Sequence, residues 1–189
     1  MISAYLKEQT RQHHDETEDN LQSKKIFDKS YTLDDYKKLL LYNYKLINQY
    51  EPQIAEKLKD HTDLKLDLRS KIEALKIDLE NLNIAIETEN PISNLENEAE
   101  AFGALYVMEG STLGGNVIAK QLKKNPEFEN VEFNYFSMYG ENTGPYWQEF
   151  KSIIDEQITE EQYEDCVNGA KKAYQLLSSL VITKKGAKN

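Results

Sequence analysis

The sequence predicts an all-α, single-domain helical bundle, and three observations carry that expectation. Successive segments place apolar residues at three- and four-residue spacing, and no strand alternation of matching strength competes with them. Only 8 Gly and 4 Pro occur in 189 residues, too few for a loop-rich β fold. Helix-start signals also precede several of the periodic segments. One domain accounts for residues 1–189, with the tail from about 184 expected to fray.

The first helix is expected over residues 3–20, with Leu6, Thr10, His14 and Thr17 along one stripe. The second starts at Thr32, an N-cap followed by Asp34 and Asp35, whose charges favour a helix N-terminus. Leu33, Tyr36, Leu40, Tyr44 and Ile47 recur along it. Glu51-Pro52 is expected to kink or end it, because a proline ring disturbs the preceding turn. A third helix over 67–82 carries Leu68, Ile72, Leu75, Leu79 and Leu82 on one face. The fourth and longest opens with a capping-box pattern, Ser93-Asn94-Leu95-Glu96, and runs to about Lys124, just before Pro126. The fifth runs from Gly144-Pro145, a tolerated first-turn proline, to Gln157. The last opens with a second capping box at Thr159 and runs to about Lys184. Residues 125–143 form one long irregular stretch, a candidate flank for a site.

Composition narrows the function classes. The net charge of −10 repels phosphate backbones, and the one basic cluster, Lys184, Lys185 and Lys188, reads as a solvated tail, so nucleic acid is not expected as a partner. A single cysteine, Cys166, forms no internal disulfide and fits a reducing cytosol. The N-terminus has no apolar leader, and no run approaches the roughly 20 apolar residues of a membrane span. A cytoplasmic protein is expected.

Two features stand out against this background. The fourth helix contains Gly103 and then Gly110-Ser111-Thr112-Leu113-Gly114-Gly115. Each glycine in a helix interior costs roughly 1 kcal/mol relative to alanine, so something should compensate. Gly110 and Gly114 share a face, and bare backbone there permits close approach by a neighbouring helix, a phosphate or a flat, rigid ligand. A phosphate fits least, because the glycines do not sit at a strand-to-helix turn. The second feature is His13-His14. Adjacent helical residues point about 100° apart, so at most one can face a given site. His14 lies on the stripe, and a neutral imidazole there is either a structural residue or a metal ligand, with Glu18 one turn on able to orient it.

Other chemistries are poorly supported. No histidine follows a glutamate by three residues, as a di-iron bundle requires, and no zinc spacing occurs. Cys166 sits beside Glu164 and Asp165, which raise a thiol pKa and make it a poor nucleophile.

The run from Phe102 to Ile118, with its Glu109-Gly110-Ser111-Thr112-Leu113-Gly114-Gly115 centre, resembles the distal helix of bacterial, biliverdin-producing haem oxygenases. Leu6-Lys7-Glu8-Gln9-Thr10, with His14 four residues later and Glu18 four beyond that, is similar to that family's proximal helix. Further matches are Arg69 with Leu75, Asp78-Leu79 and Leu82, and Tyr139-Gly140 followed by Trp147 and Phe150. The resemblance spans nearly the whole chain.

It implies a bundle that holds haem, as substrate and cofactor together, between proximal and distal helices. His14 would ligate the iron, and Gly110, Gly114 and Gly115 would lie over the opposite face, where O2 binds. The implied reaction opens the ring oxidatively to biliverdin, ferrous iron and carbon monoxide. Electrons would come from a ferredoxin- or flavodoxin-type donor or a small reductant. Animal members carry an aspartate after the first glycine, whereas Ser111 stands here, as in many bacterial relatives that lack the acid. Ser111 or Thr112 with water are candidates for the proton relay. Lys7 is a candidate propionate partner, with Lys151, Tyr106 and Tyr174 as further contacts. The alternatives are a haem-binding or haem-sensing protein without turnover, a helical interaction module, and a thiamine-degrading hydrolase, which would need a cysteine nucleophile that Cys166 does not resemble.

Overall fold

Thr10 interrupts the first expected helix, dividing it into α1 (Ile2–Gln9) and α2 (Arg11–Asn20). Its hydroxyl and its N–H both donate to the Leu6 carbonyl, at 2.7 and 2.9 Å, and such back-bonding distorts a helix locally. The break is one residue wide, and His14 N–H still reaches the Thr10 carbonyl. The structure is a computed structural model that describes residues 1–86 and 94–185, and it shows no strand among them. A short α3 (Lys24–Phe27), not expected from periodicity, precedes α4 (Leu33–Lys57).

Thr32 caps α4 as expected, in a reciprocal box with Asp35. Pro52 does not end the helix. The chain continues to Lys57 because Tyr50, Ile54 and Leu58 stay buried on one face across the proline. The third expected helix is likewise two pieces, α5 (Leu66–Arg69) and α6 (Ile72–Asn81). Glu51 of α4 causes the break by accepting the Ser70 hydroxyl and the Lys71 N–H, which draws Ser70 into an extended conformation. As a result Leu68, placed on the buried face by periodicity, is exposed, while Arg69 and Lys71 are buried.

The long helix α7 (Glu98–Leu122) starts later than its expected capping box. Ser93 lies outside the described residues, and the cap is Asn97, whose side chain accepts the Glu100 N–H at 2.9 Å. α8 (Thr143–Gln157) and α9 (Tyr163–Lys185) follow the expected positions, with Thr159 and Gln162 forming the predicted box ahead of α9. Residues 186–189, with Lys188 and most of the tail, lie outside the described residues.

α7 is the centre of the bundle and packs on α9, α4 and α8. Its crossing with α9 is a backbone contact. A Cβ on Gly103 would collide with the Cys166 carbonyl, and one on Gly169 would collide with the Glu100 carbonyl. Gly103 therefore serves helix packing. Cys166 is buried at the same crossing, and burial, with Asp165 adding to it, pushes its thiol up to about 12. No helix among the described residues is long and apolar enough to cross a membrane.

Candidate functional site

α2 and α7 both pack on α9, which carries Tyr174. The Tyr174 ring stands edge-on to His14 at 6.4 Å between centroids and tilted to His13 at 6.3 Å. Burial holds the Tyr174 hydroxyl above its usual pKa. The stripe reading of α2 is corrected here. Leu6, Thr10 and Thr17 are buried, but the His14 side chain is 54 % exposed, and His13 is the more buried of the pair. Helical geometry accounts for this: Leu6, Thr10, His13 and Thr17 follow steps of four, three and four residues and share one face, which turns His14 about 100° away from His13 and outward. His13 Nδ1 is buried without a hydrogen-bond partner. His14 Nδ1 lies 3.6 Å from Asp15, and its Nε2 lies 3.8 Å from Glu18. Both separations exceed a hydrogen bond, so neither nitrogen is committed.

The glycine run of α7 does not act as a unit. Residues 99–109 are buried without exception, and the helix emerges from the core at Gly110. A Cβ on Gly110 would touch Trp147 at an ordinary 3.6 Å, one on Gly114 would meet nothing within 4 Å, and one on Gly115 would lie 2.6 Å from Phe136. Leu113 and Val117, flanking Gly114, are 38 % and 45 % exposed. Ser111 and Thr112 donate their hydroxyls to the Met108 and Glu109 carbonyls at 2.8 and 2.6 Å. Ser111 also sits beside the buried Tyr135, whose hydroxyl donates to Asn43.

The remaining candidates lie on α7, α8 and α1. Tyr106 is buried against Trp147 at 5.2 Å, and burial pushes its hydroxyl up to about 12. Lys151 Nζ sits 5.7 Å above the same indole. Lys7 is exposed on α1.

Residues 1–183 match the family described as Heme oxygenase. The chain belongs to the haem oxygenase family. A protein named heme oxygenase from Xanthomonas campestris pv. campestris (strain 8004) is 29 % identical over 125 residues, covering 66 % of this chain and 74 % of that protein. Heme oxygenase from Neisseria meningitidis, solved with NO and CO bound, superposes with a TM-score of 0.79 at 21 % identity. That match covers all of this chain and 95 % of the Neisseria chain. The resemblance read from the glycine run and the His14 spacing stands, and with it the assignment of an enzyme of the haem oxygenase class.

This family member also carries a buried polar cluster that sequence reasoning did not assemble. Glu109 accepts from Arg69 Nη1 at 2.6 Å, from Lys71 Nζ, and from the Tyr139 hydroxyl at 3.0 Å. Arg69 Nη2 reaches Glu149 at 3.0 Å, and its Nε donates to the Leu64 carbonyl at 2.7 Å. Burial, and Glu109 beside it, push the Tyr139 hydroxyl well up. One signal was available. Glu109 is the one charge between residues 101 and 119, and a lone charge on an apolar helix needs a partner.

Proposed function

We propose that the chain binds haem between α2 and the exposed stretch of α7 and opens the ring to biliverdin, ferrous iron and carbon monoxide. O2 and electrons from a ferredoxin- or flavodoxin-type donor, or a small reductant, complete the reaction. One observation carries the reading. A helix buried through Glu109 becomes exposed, apolar and partly free of side chains around Gly114, while His14 presents an uncommitted imidazole on a second helix of the same α9 platform.

The residues fit the group. A flat apolar macrocycle needs bare backbone and apolar walls, which Gly114, Leu113 and Val117 supply. Iron needs a neutral imidazole, which His14 can offer through either nitrogen. The other nitrogen then has a carboxylate neighbour, Asp15 or Glu18, to set ring orientation. Bound haem supplies the iron that activates O2 and the carbon framework that is oxidised.

This chain's side chains do the remaining work. Ser111 and Thr112 have their hydroxyl protons engaged on backbone carbonyls, so their oxygens are left as acceptors that orient a water for proton delivery. Lys7 and Lys151 are the cationic partners for the propionates, and Tyr174 packs against the proximal histidine.

The test is a haemin titration followed by ascorbate or a ferredoxin-type reductant in air. A sharp Soret band that decays into a biliverdin spectrum is the expected result. A band that persists under reductant overturns turnover and leaves a haem-binding member of the family.

A further inference from the structure

Gly114 and Gly115 are neighbours with opposite surroundings. Gly114 faces open space, whereas a Cβ on Gly115 would lie 2.6 Å from Phe136 Cδ1 and 3.6 Å from Phe136 Cα. The first of these distances is shorter than real Cβ contacts, so only bare backbone lets the ring seat there.

Phe136 is itself held on several sides. Its ring packs against Tyr135 at 4.8 Å and Tyr36 at 6.0 Å. Tyr135 is fixed at both ends, its N–H on Asp78 at 2.9 Å and its hydroxyl on Asn43 at 3.0 Å. Asp78 also accepts the N–H and the side-chain amide of Asn134, at 3.0 and 2.8 Å. One turn on, Tyr139 donates to Glu109. The segment from 133 to 139 therefore contacts α7 on both sides of Gly110–Gly114, with Tyr139 at one end and Phe136 at the other.

We propose that Phe136 is a positioning residue for the distal wall: seated behind α7 on Gly115, it sets how far the Gly114 backbone stands from the haem plane. Gly115 then serves the protein side of the helix, and Gly114 alone of the pair serves the ligand side. The proposal rests on the haem reading above. Interiors transmit small displacements because they are close-packed, so a methyl added between Phe136 and α7 moves the wall toward the ligand.

A double-mutant cycle tests this on the ferrous carbon monoxide complexes of the full chain, reading the C–O stretching band, with haemin dissociation rate as a second measurement. Gly115→Ala should shift the band and speed haemin loss roughly tenfold, the scale of one misfitting methyl in a packed site. Gly115→Ala with Phe136→Ala should return the band to its wild-type position. Gly115→Ala with Phe136→Leu should return it part of the way, and it serves if the alanine pair does not fold. Gly114→Ala should shift the band equally with and without Phe136. A Gly115→Ala shift that is indifferent to residue 136 overturns the proposal, because Gly115 then touches the ligand itself. An unshifted band accompanied only by a lower melting temperature overturns it too. If the wild-type protein gives no Soret band, the haem reading fails before any variant is compared, and this proposal falls with it.

Discussion

Arg69 Nη1 and Glu109 Oε2 lie 2.6 Å apart, with neither side chain more than 2 % exposed. Lys71 shares the same carboxylate, and its side chain is fully buried. Two cations thus depend on one anion in the core, with half-buried Glu149 taking the second face of the guanidinium. Replacing Glu109 by Gln leaves both cations short of a counter-charge. The expected loss is about 3–5 kcal/mol, the usual cost of breaking a buried pair on one side. Urea denaturation of the apoprotein measures it, and a change below 1 kcal/mol would show that the pair is hydrated and cheap to open.

His14→Ala should abolish the axial-nitrogen signature in the ferric haem spectrum and stop turnover, while apoprotein helicity is unchanged because the side chain is largely exposed. His13→Ala is the control. Its buried Nδ1 has no partner to lose, so haem ligation should survive. A spectrum lost in His13→Ala and kept in His14→Ala reverses the assignment.

Gly114→Leu places a branched side chain where a Cβ now meets open space. The apoprotein should melt within a few degrees of wild type, yet haemin affinity should fall by at least tenfold, since the slot rather than the core is filled. Normal haemin affinity in this variant would mean that the ligand does not lie over Gly114.

Gly169→Ala behaves oppositely. Its Cβ would overlap the Glu100 carbonyl, a backbone atom with no freedom to turn aside. Separating α7 from α9 to admit a methyl is expected to cost about 3 kcal/mol or more. Thermal unfolding of the apoprotein tests it, and an unchanged melting temperature would contradict the close crossing.

Tyr36→Phe removes a fully buried hydroxyl that has no hydrogen-bond partner, on a ring packed among Phe128, Phe133 and Phe136. Deleting an unsatisfied polar group relieves its desolvation cost, so stability should stay level or rise by about 1 kcal/mol. A clear loss of stability would place a bound water at that oxygen.

The helix starts were legible where a cap or a proline marks them. Thr32, Thr159 and the α8 proline follow from hydrogen bonds and steric rules within a few residues. The break at Thr10 and the short α3 are local but leave the apolar spacing unmarked, whereas two other departures come from burial or from a distant residue. Pro52 is carried inside α4 because burial on both sides of it outweighs the local penalty. Residues 67–82 split at Ser70 because of Glu51, about 20 residues earlier. For the proposed site, His14 and Gly114 stand out in the sequence as anomalies of pattern, one a histidine beside a second histidine and the other a glycine inside a long helix. Gly114 and Gly115 look alike in sequence and differ in surroundings, because what a glycine admits is decided by the chain that arrives from elsewhere: nothing within 4 Å in one case and Phe136 in the other.

The crossing at Gly103 and Gly169 divides α7 into two halves with separate duties. The first half is committed to architecture, since positions 99–109 are enclosed and two of the contacts there tolerate no side chain at all. The second half is largely released from that duty. On the proposed haem site, a library randomising Leu113, Gly114 and Val117 would therefore explore ligand preference on a scaffold that does not notice, while one randomising residues 99–105 would yield mostly unfolded chains. Within a single helix, evolvability and conservatism sit less than three turns apart.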